Sequence, residues 1–161
     1  MSERIDQAVF RGVLGHLPTG VTVVTARSTD GPVGMAANSV TSLSLDPPLV
    51  LFCPARSSTT WPQIRTAGGF CINIMARHHE QMSRQFSVRN AERFAGVDLI
   101  ERHGQPALRD AIAWVDCRVH AELDGGDHVI VVADVIDLEA TTIGQPLVFF
   151  RGGYGGFAPA S

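Results

Sequence analysis

The chain has 161 residues and a formal net charge of −3, with 45% hydrophobic and 18% charged residues. This length and composition are typical of one globular domain, spanning residues 1–161, that buries a sizeable core. The charge argues against a nucleic-acid partner, because a phosphate backbone requires a concentrated basic face. All 13 basic side chains are arginine, which excludes a lysine Schiff base to pyridoxal phosphate.

The cysteines and the N-terminal residues indicate the compartment. Cys53, Cys71 and Cys117 are far apart and lie in apolar runs, so they form neither a CxxC pair nor a disulfide framework. Residues 1–6 include two acidic residues, Glu3 and Asp6, where a secretion signal would be basic and then apolar. No segment approaches the roughly 18 apolar residues that span a bilayer. We expect a cytoplasmic protein with buried thiols and no membrane partner.

The first third of the chain predicts one helix followed by strands. Apolar residues recur at every fourth position, which predicts a short amphipathic helix ending before Pro18: Ile5, Val9, Val13 and Leu17. The β-branched segment 20–27 predicts a strand, and residues 28–32 predict a turn into a second strand over 33–36.

The middle of the chain alternates between predicted strands and short helices. Residues 49–53 and 70–75 predict buried strands, and residues 61–67 and 78–86 predict helices. The first of these helices has three candidate capping residues: Ser58, Thr59 and Thr60.

The last third predicts a hairpin and a final strand. Within 112–123, polar residues that we expect on the solvent face alternate with apolar ones: Asp116, Arg118, His120 and Glu122. Residues 124–127 predict the hairpin turn, and 129–138 and 147–150 predict strands. Six or seven evenly spaced strands favour a β-barrel with peripheral helices. No GxGxxG motif follows a strand, so a doubly wound nucleotide-binding sheet is not expected.

Residues 34–48 carry small and hydroxylated side chains between two apolar runs and end in Asp-Pro-Pro. Such a stretch leaves the backbone accessible and offers hydroxyls and an amide, as a surface for a flat polar ring or a sugar-phosphate requires. It is also compatible with a tight strand crossing inside a barrel.

Metal binding and nucleophilic catalysis find little support. His78, His79 and Glu80 lack the spacing that places two imidazoles on one helix face, so we expect one of the two histidines in solvent. His120 reads as an exposed histidine. There is no GxSxG motif and no cysteine in an electropositive setting. We therefore predict no metal site.

Three local signals remain, and each has a structural alternative. Residues 56–60 place an arginine beside four hydroxyls before a helix, which suits an anion or merely a helix cap. His128 ends a Gly-Asp-His turn and is either a functional imidazole or a turn residue. Residues 151–154 join a cation and an aromatic ring on a flexible tail, where a disordered terminus is the alternative.

In combination these segments resemble the flavin reductase family, small NAD(P)H:flavin oxidoreductases built on the FMN-binding split barrel. The similarity spans roughly Phe10 to Tyr154. The matching segments are Phe10-Arg11, PTGVTVVT (18–25), GMAANS (34–39), SLSLDPPLV (42–50), FCINI (70–74), GDH (126–128) and PLVFFRGGY (146–154). The implied fold is a Greek-key split β-barrel with short peripheral helices.

The resemblance also implies a set of binding residues. The isoalloxazine and ribityl of FMN or FAD would be lined by Met35, Ala36, Ala37, Asn38, Ser39 and Ser42. The phosphate end would be held by Cys53, Pro54, Ala55, Arg56, Ser57, Ser58, Thr59 and Thr60. The flavin tail would be reached by Phe86, Arg89 and Arg93. The nicotinamide nucleotide would meet His128, Arg151, Gly152, Gly153 and Tyr154.

The implied activity is the reduction of FMN or FAD by a homodimer that supplies reduced flavin to a partner monooxygenase. Relatives commonly carry Thr in place of Ala36, which puts one flavin contact in doubt. The tail has fewer basic residues than many relatives have, which favours NADH over NADPH. The alternatives are a flavin- or haem-binding module without turnover and an oxidase of the pyridoxamine-phosphate type on the same barrel.

Overall fold

A computed structural model describes residues 4–89 and 92–161. Its helices are α1 (Gln7–Leu14), α2 (Trp61–Ala67) and α3 (Glu80–Ser87), and a 3-10 turn (Arg77–His79) leads into α3. In the described part of the chain, no helix has the length and apolarity needed to cross a membrane.

The strands fall into one large sheet and two small ones. The bounds are β1 (Thr19–Gly20), β2 (Thr22–Ser28), β3 (Gly31–Ala37), β4 (Thr41–Leu45), β5 (Pro48–Phe52), β6 (Gly69–Ile74), β7 (Leu99–Arg102), β8 (Gln105–Leu108), β9 (Ala113–Gly125), β10 (His128–Ala140), β11 (Val148–Phe150) and β12 (Gly153–Gly155). The large sheet is antiparallel with the order β3-β2-β6-β9-β10-β5-β4. The small sheets are β1-β11-β12 and the hairpin β7-β8.

The connection between β3 and β4 shows how the large sheet closes. These strands lie at opposite edges of the seven-stranded order, yet only residues 38–40 separate them in the chain. Four residue steps span at most about 14 Å, so the sheet must curl until its two edges approach. Within the described pairings β3 and β4 do not hydrogen-bond to each other. The result is a split barrel, which confirms the predicted fold class.

The two faces of the sheet bury separate apolar clusters. Val24 of β2 and Phe70 of β6 pack inside the barrel with Phe52 and with Trp61 of α2. The alternate residues of the same strands, such as Val23, belong to the second cluster on the other face. Because both faces are covered, residues 22–26 of β2 are all buried, and the strand does not alternate between buried and exposed positions.

Most predicted elements are present, with ends shifted by a few residues. The described residues also form elements that the sequence pattern did not indicate: the separate short strand β1, the strand β4, the β7-β8 hairpin and the strand β12. The first helix is shorter than the apolar pattern from Ile5 to Leu17, because α1 ends at Leu14. Its N-terminus is capped by the Asp6 carboxylate, which accepts from Ala8 N and Val9 N at 2.8 and 3.0 Å.

The prediction that Asp116 faces solvent is wrong. Asp116 is 2% exposed, and its Oδ2 accepts from Arg102 Nη2 at 2.7 Å and from Nε at 2.9 Å. Arg102 also lies over the ring of Trp114, with 5.5 Å between its guanidinium carbon and the ring centroid. The β7-β8 hairpin supplies this cation and covers the strand, so one polar position of the alternating pattern is buried as an ion pair. Arg118, His120 and Glu122 are exposed as expected.

Candidate functional site

A cavity of about 230 Å³ lies between β3, α3 and the segment of residues 54–60, which we term the 54–60 loop. Ten of the predicted flavin-binding residues line it together: Met35, Ala36, Ala55, Ser57, Ser58, Thr59, Thr60, Phe86, Arg89 and Arg93. Ser87 completes the lining and was not predicted, although it directly follows Phe86 in α3. Segments that are up to 58 positions apart in the sequence, from Met35 to Arg93, therefore meet at one place.

Two guanidinium groups border this cavity without a carboxylate partner among the described residues. Arg93 donates to Gly34 O at 2.7 Å, to Thr60 Oγ1 at 2.8 Å and to Val88 O at 3.0 Å. Arg89 donates to Ser57 Oγ at 3.2 Å. Burial lowers the pKa of Arg93, since desolvation disfavours its charge. A half-buried cation that meets only neutral oxygens is electrostatically suited to an anionic ligand.

The hydroxyl cluster serves in part as a helix cap. Ser58 Oγ accepts from Thr60 N and Trp61 N at 3.3 and 3.1 Å, so Ser58 is the one capping residue of the three candidates. Thr60 takes a helical conformation and makes no capping bond with its side chain. The capping alternative is therefore correct for Ser58, while the hydroxyls of Ser57 and Thr60 accept from Arg89 and Arg93.

A second groove continues from the cavity. It has a volume of about 470 Å³ and shares Thr59, Thr60 and Arg93 with the cavity. Its other walls are Pro32, Val33, Gly34, Gln63, Glu92, Phe94 and Ala95. None of these residues was singled out from the sequence except Gly34, which belongs to the 34–48 stretch.

The small residues of β3 have different environments. Met35 and Ala36 are half-buried at the cavity, whereas Ala37 packs into the barrel interior. Gly34 is buried, and a Cβ there would lie 2.9 Å from Phe86 Cε1. The small size of Gly34 is thus explained by packing, as the strand-crossing alternative proposed, while Met35 and Ala36 remain available to a ligand.

The rest of the predicted flavin surface lies beyond this cavity. Ser39 Oγ accepts from Cys53 N at 2.8 Å and ties the β3-β4 connection to the end of β5. Asn38 is half-buried in that connection, and Ser42 is exposed on the edge strand β4. Pro54 is buried and lies outside the cavity lining.

The predicted imidazole lies at the tip of the β9-β10 hairpin. His128 Nδ1 is 2.8 Å from Asp127 Oδ1, and its side chain is 45% exposed. Hydrogen bonding to His128 lowers the pKa of Asp127, and the charges of His128 and Arg11 lower it further. His128 forms an antiparallel bridge with Ala55. Directly opposed residues of such a pair project to the same side, so the imidazole lies on the side on which Ala55 borders the cavity.

Arg56, by contrast, lies outside the cavity lining. Its side chain contacts the tip of the β9-β10 hairpin instead of the cavity. Its Nε donates to Gly126 O at 2.7 Å, and its Nη2 pairs with the Asp124 carboxylate.

The predicted flexible tail is instead part of a sheet. Gly153 and Tyr154 belong to β12, which pairs with β11, and Arg151 and Gly152 form the turn between the two strands. Tyr154 is half-buried, and the Arg84 guanidinium of α3 lies 4.8 Å from its ring centroid. The disordered-terminus alternative is wrong for residues 151–154. The described contacts do not join them directly to His128.

Several titratable groups away from the cavity are buried or already paired. Cys71 and Cys117 are buried, and desolvation raises the pKa of Cys117 to about 12 and that of Cys71 further. His103, Asp116 and Asp137 lie close enough to share a metal ion, but Arg102 already pairs with both carboxylates. His79 is buried and accepts from Ala76 N at 3.0 Å, while its neighbour His78 is exposed, as expected for this pair.

Comparison with known proteins identifies the family. The model of the flavin reductase like domain matches residues 14–158. A flavin reductase of Pseudomonas putida is 45% identical, over 96% of this chain and 92% of its own. The reductase subunit HsaB of a flavin-dependent monooxygenase from Mycobacterium tuberculosis is 41% identical, over 99% of this chain and 87% of its own.

A solved structure agrees with these sequence relatives. The NADH:FAD oxidoreductase SgcE6 of Streptomyces globisporus C-1027, in complex with NAD and FAD fragments, superimposes with a TM-score of 0.89 at 35% identity, over 98% of each chain. The family match covers most of the chain and includes β1 to β12 and the cavity. The chain therefore belongs to the flavin reductase family, as its sequence motifs had indicated.

Proposed function

We propose that the chain is an NADH-dependent reductase of FMN or FAD and that its reduced flavin serves a partner monooxygenase. The observation that carries this proposal is the pair Arg89 and Arg93, whose charges have no carboxylate partner in the described residues and border the same cavity as Met35 and Ala36. A cavity with cations and hydroxyls at one end and a small-residue strand at the other suits a phosphate joined to a flat ring.

The residues present fit a flavin. Flavin accepts a hydride directly from nicotinamide, so the protein requires no nucleophile or metal and instead holds the two rings in contact. Arg89, Arg93 and Ser57 would hold the phosphate. Strand β3 is an edge strand of the large sheet, so backbone N–H groups on its outer side are free of sheet partners and would stabilise negative charge on the ring.

His128 is proposed to act on the nicotinamide side. Two contacts support this role: His128 bridges Ala55, which belongs to the cavity lining, and its Nδ1 lies 2.8 Å from Asp127 Oδ1. We expect His128→Ala to slow turnover and to leave flavin affinity nearly unchanged. An equal loss of flavin affinity would contradict this role.

The activity is tested by the oxidation of NADH in air with FMN, FAD or riboflavin, followed by the loss of the NADH absorbance band. Flavin-dependent oxidation that saturates with flavin is the expected result. A protein that binds flavin but does not oxidise NADH would support the binding-module alternative. Oxidation of pyridoxamine phosphate without NADH would support the oxidase alternative.

The groove beside the cavity offers space for the adenosine half of FAD. Gln63 lines this groove and not the cavity, so Gln63→Trp should narrow the groove alone. We expect this substitution to weaken the binding of FAD and to spare FMN. Equal affinities for FAD before and after the substitution would place the adenosine half elsewhere.

We further propose that the active form is a homodimer. The apolar residues of α1 and its flanks are exposed in the single chain, with Ile5, Val9, Val13 and Leu17 at 73%, 61%, 62% and 63%. No residue of α1 is buried. An exposed apolar stripe on a helix is typical of a protein interface. The resemblance to the family implies that the partner at this interface is a second copy of the chain. Light scattering should give twice the chain mass, and Val9→Glu with Val13→Glu should give monomers; a monomeric wild type would contradict the proposal.

A cytoplasmic location is also proposed. The three cysteines are free, as in a reducing compartment, and NADH is a cytoplasmic reductant. Fractionation of cells that express the chain would test this.

A further inference from the structure

We propose that Arg56 is a positioning residue that fixes the hairpin carrying His128 against the 54–60 loop. This inference rests on the proposed function of His128 in flavin reduction. Arg56 does not contact the cavity, and its role follows from the contacts it makes on the opposite side of the loop.

The backbones of the loop and the hairpin pair along three residues. Arg56 N donates to Asp127 O at 2.9 Å, and Val129 N donates to Pro54 O at 2.9 Å. Between these bonds lies the bridge of Ala55 to His128. The pairing is short, and it leaves residues 124–126 beyond the last of these bonds.

The Arg56 side chain extends this pairing to the tip of the hairpin. It donates to Gly126 O and pairs with Asp124, so one planar group holds two points of the turn at once. Gly126 has a φ of +75°, a conformation that glycine adopts readily, and its carbonyl is one of the groups held. The hydrogen bond from Arg56 lowers the pKa of Asp124, because it favours the charged carboxylate.

The 54–60 loop therefore has two functional sides. On one side Ala55, Ser57, Ser58, Thr59 and Thr60 border the cavity, and on the other Arg56 holds the hairpin. The loop therefore fixes the position of the His128 imidazole relative to the site of the flavin phosphate. Hydride transfer depends steeply on the alignment of the two rings, so a loosened hairpin should impair the NADH half of the reaction and not flavin binding.

The chain offers a closely matched control. Arg27 donates through Nε to Gly104 O and pairs through Nη2 with Glu101, which reproduces the Arg56 pattern on the β7-β8 hairpin. Gly104 has a φ of +80°, and the exposed side-chain fractions of Arg27 and Arg56 are 51% and 50%. Both arginines form exposed contacts that contribute little to global stability, so both variants should fold.

The test compares R56M, R56K and R27M for flavin affinity and for kcat/KM with NADH. We expect R56M to lower kcat/KM for NADH by about 10- to 100-fold, the range for misplaced catalytic geometry, with flavin Kd unchanged. R56K should recover part of this loss, because an ammonium can pair with Asp124. R27M should resemble the wild type. A loss of flavin affinity in R56M, or an equal loss of kcat/KM in R27M, would overturn the proposal.

A double variant tests whether Arg56 acts through His128. In the His128→Ala background, R56M should cause almost no further loss of kcat/KM, whereas independent roles would multiply the two losses. Hydrogen exchange at Val129 N provides a readout that is independent of activity and should be faster in R56M than in R27M. Unchanged exchange at Val129 N in R56M would overturn the proposal that Arg56 fixes the hairpin against the loop. Absence of turnover in the wild type, with exchange at Val129 still accelerated, would overturn the proposed function alone.

Discussion

The role of Arg93 gives the sharpest test of the proposed phosphate site. Its guanidinium makes three hydrogen bonds of 2.7–3.0 Å to neutral oxygens and borders both the cavity and the groove. The substitution Arg93→Met keeps much of the apolar stem and removes the charge and the donors. If Arg93 binds phosphate, the affinity for FMN should fall while the affinity for riboflavin, which lacks the phosphate, should not.

The magnitude follows from the strength of a hydrogen bond to a charged group. Such a bond contributes about 1.5–3 kcal/mol, which corresponds to an increase of about 10- to 150-fold in the Kd for FMN. The substitution also removes a donor from Gly34 O, which belongs to a buried residue, at a cost of about 1–3 kcal/mol in the free energy of unfolding. The thermal stability of each variant should therefore be measured alongside its flavin affinity, so that a loss of binding is not confused with unfolding.

Quenching of flavin fluorescence measures both affinities. Arg109→Met is a suitable control, because Arg109 pairs with Asp98 at 2.8 Å and lines neither the cavity nor the groove. An equal loss of affinity for FMN and for riboflavin in Arg93→Met would refute the assignment, since the effect would then be independent of the phosphate.

Three further predictions concern the stability of the fold around the site. Asp116→Ala leaves Arg102 without its buried partner and should lower the free energy of unfolding, measured in urea, by about 3–5 kcal/mol; a loss below about 1 kcal/mol would indicate an ordinary surface pair. Burial lowers the pKa of His79 below its ordinary value of 6.5, so the neutral imidazole contributes fully to stability above pH 6.5, and this contribution is lost as the pH falls from there through the lowered pKa. His79→Gln should therefore flatten the dependence of stability on pH in the acidic range, and an unchanged slope would contradict this. Gly34→Ala places a methyl 2.9 Å from Phe86 and should cost about 1–3 kcal/mol in thermal unfolding, whereas unchanged stability would show that the ring yields freely.

The sequence predicts the barrel well where side chains alone decide the element. Residues 22–28 and 69–74 are rich in β-branched and apolar residues, and their strands appear close to the predicted positions. The predicted hairpin turn after β9 is confirmed, since β9 ends at Gly125 and β10 begins at His128. A Gly-Gly pair is typical of such a turn, so the local sequence was sufficient to predict it.

The missed elements depend on contacts between distant segments. Residues 99–108 contain charges and a proline and have no clear period, yet they form a hairpin because Arg102 reaches Asp116 and Ala107 and Leu108 complete the second core cluster. Strand β12 exists because Tyr154 packs against Phe149, with 5.2 Å between the ring centroids. The local sequence pattern of these segments does not reveal the distant residues, Asp116 and Phe149, that stabilise them.

The sequence predicted which residues form the candidate site better than it predicted how they are oriented. The motifs located Met35, Ala36 and the 54–60 loop, and the structure brings them together with Arg89 and Arg93. The orientation of Arg56 away from the cavity was not foreseen, because it depends on contacts with Gly126 and Asp124, which are distant in the sequence and meet Arg56 only in the folded chain.

Anaerobic mixing of the protein with FMN or FAD and NADH tests the central claim most directly. The account predicts that the visible absorbance of the flavin bleaches in proportion to the NADH added, one flavin reduced for each NADH consumed, and only when the protein is present. A flavin that binds to the protein and keeps its full absorbance after NADH is added would contradict the account and leave a binding protein on the same barrel.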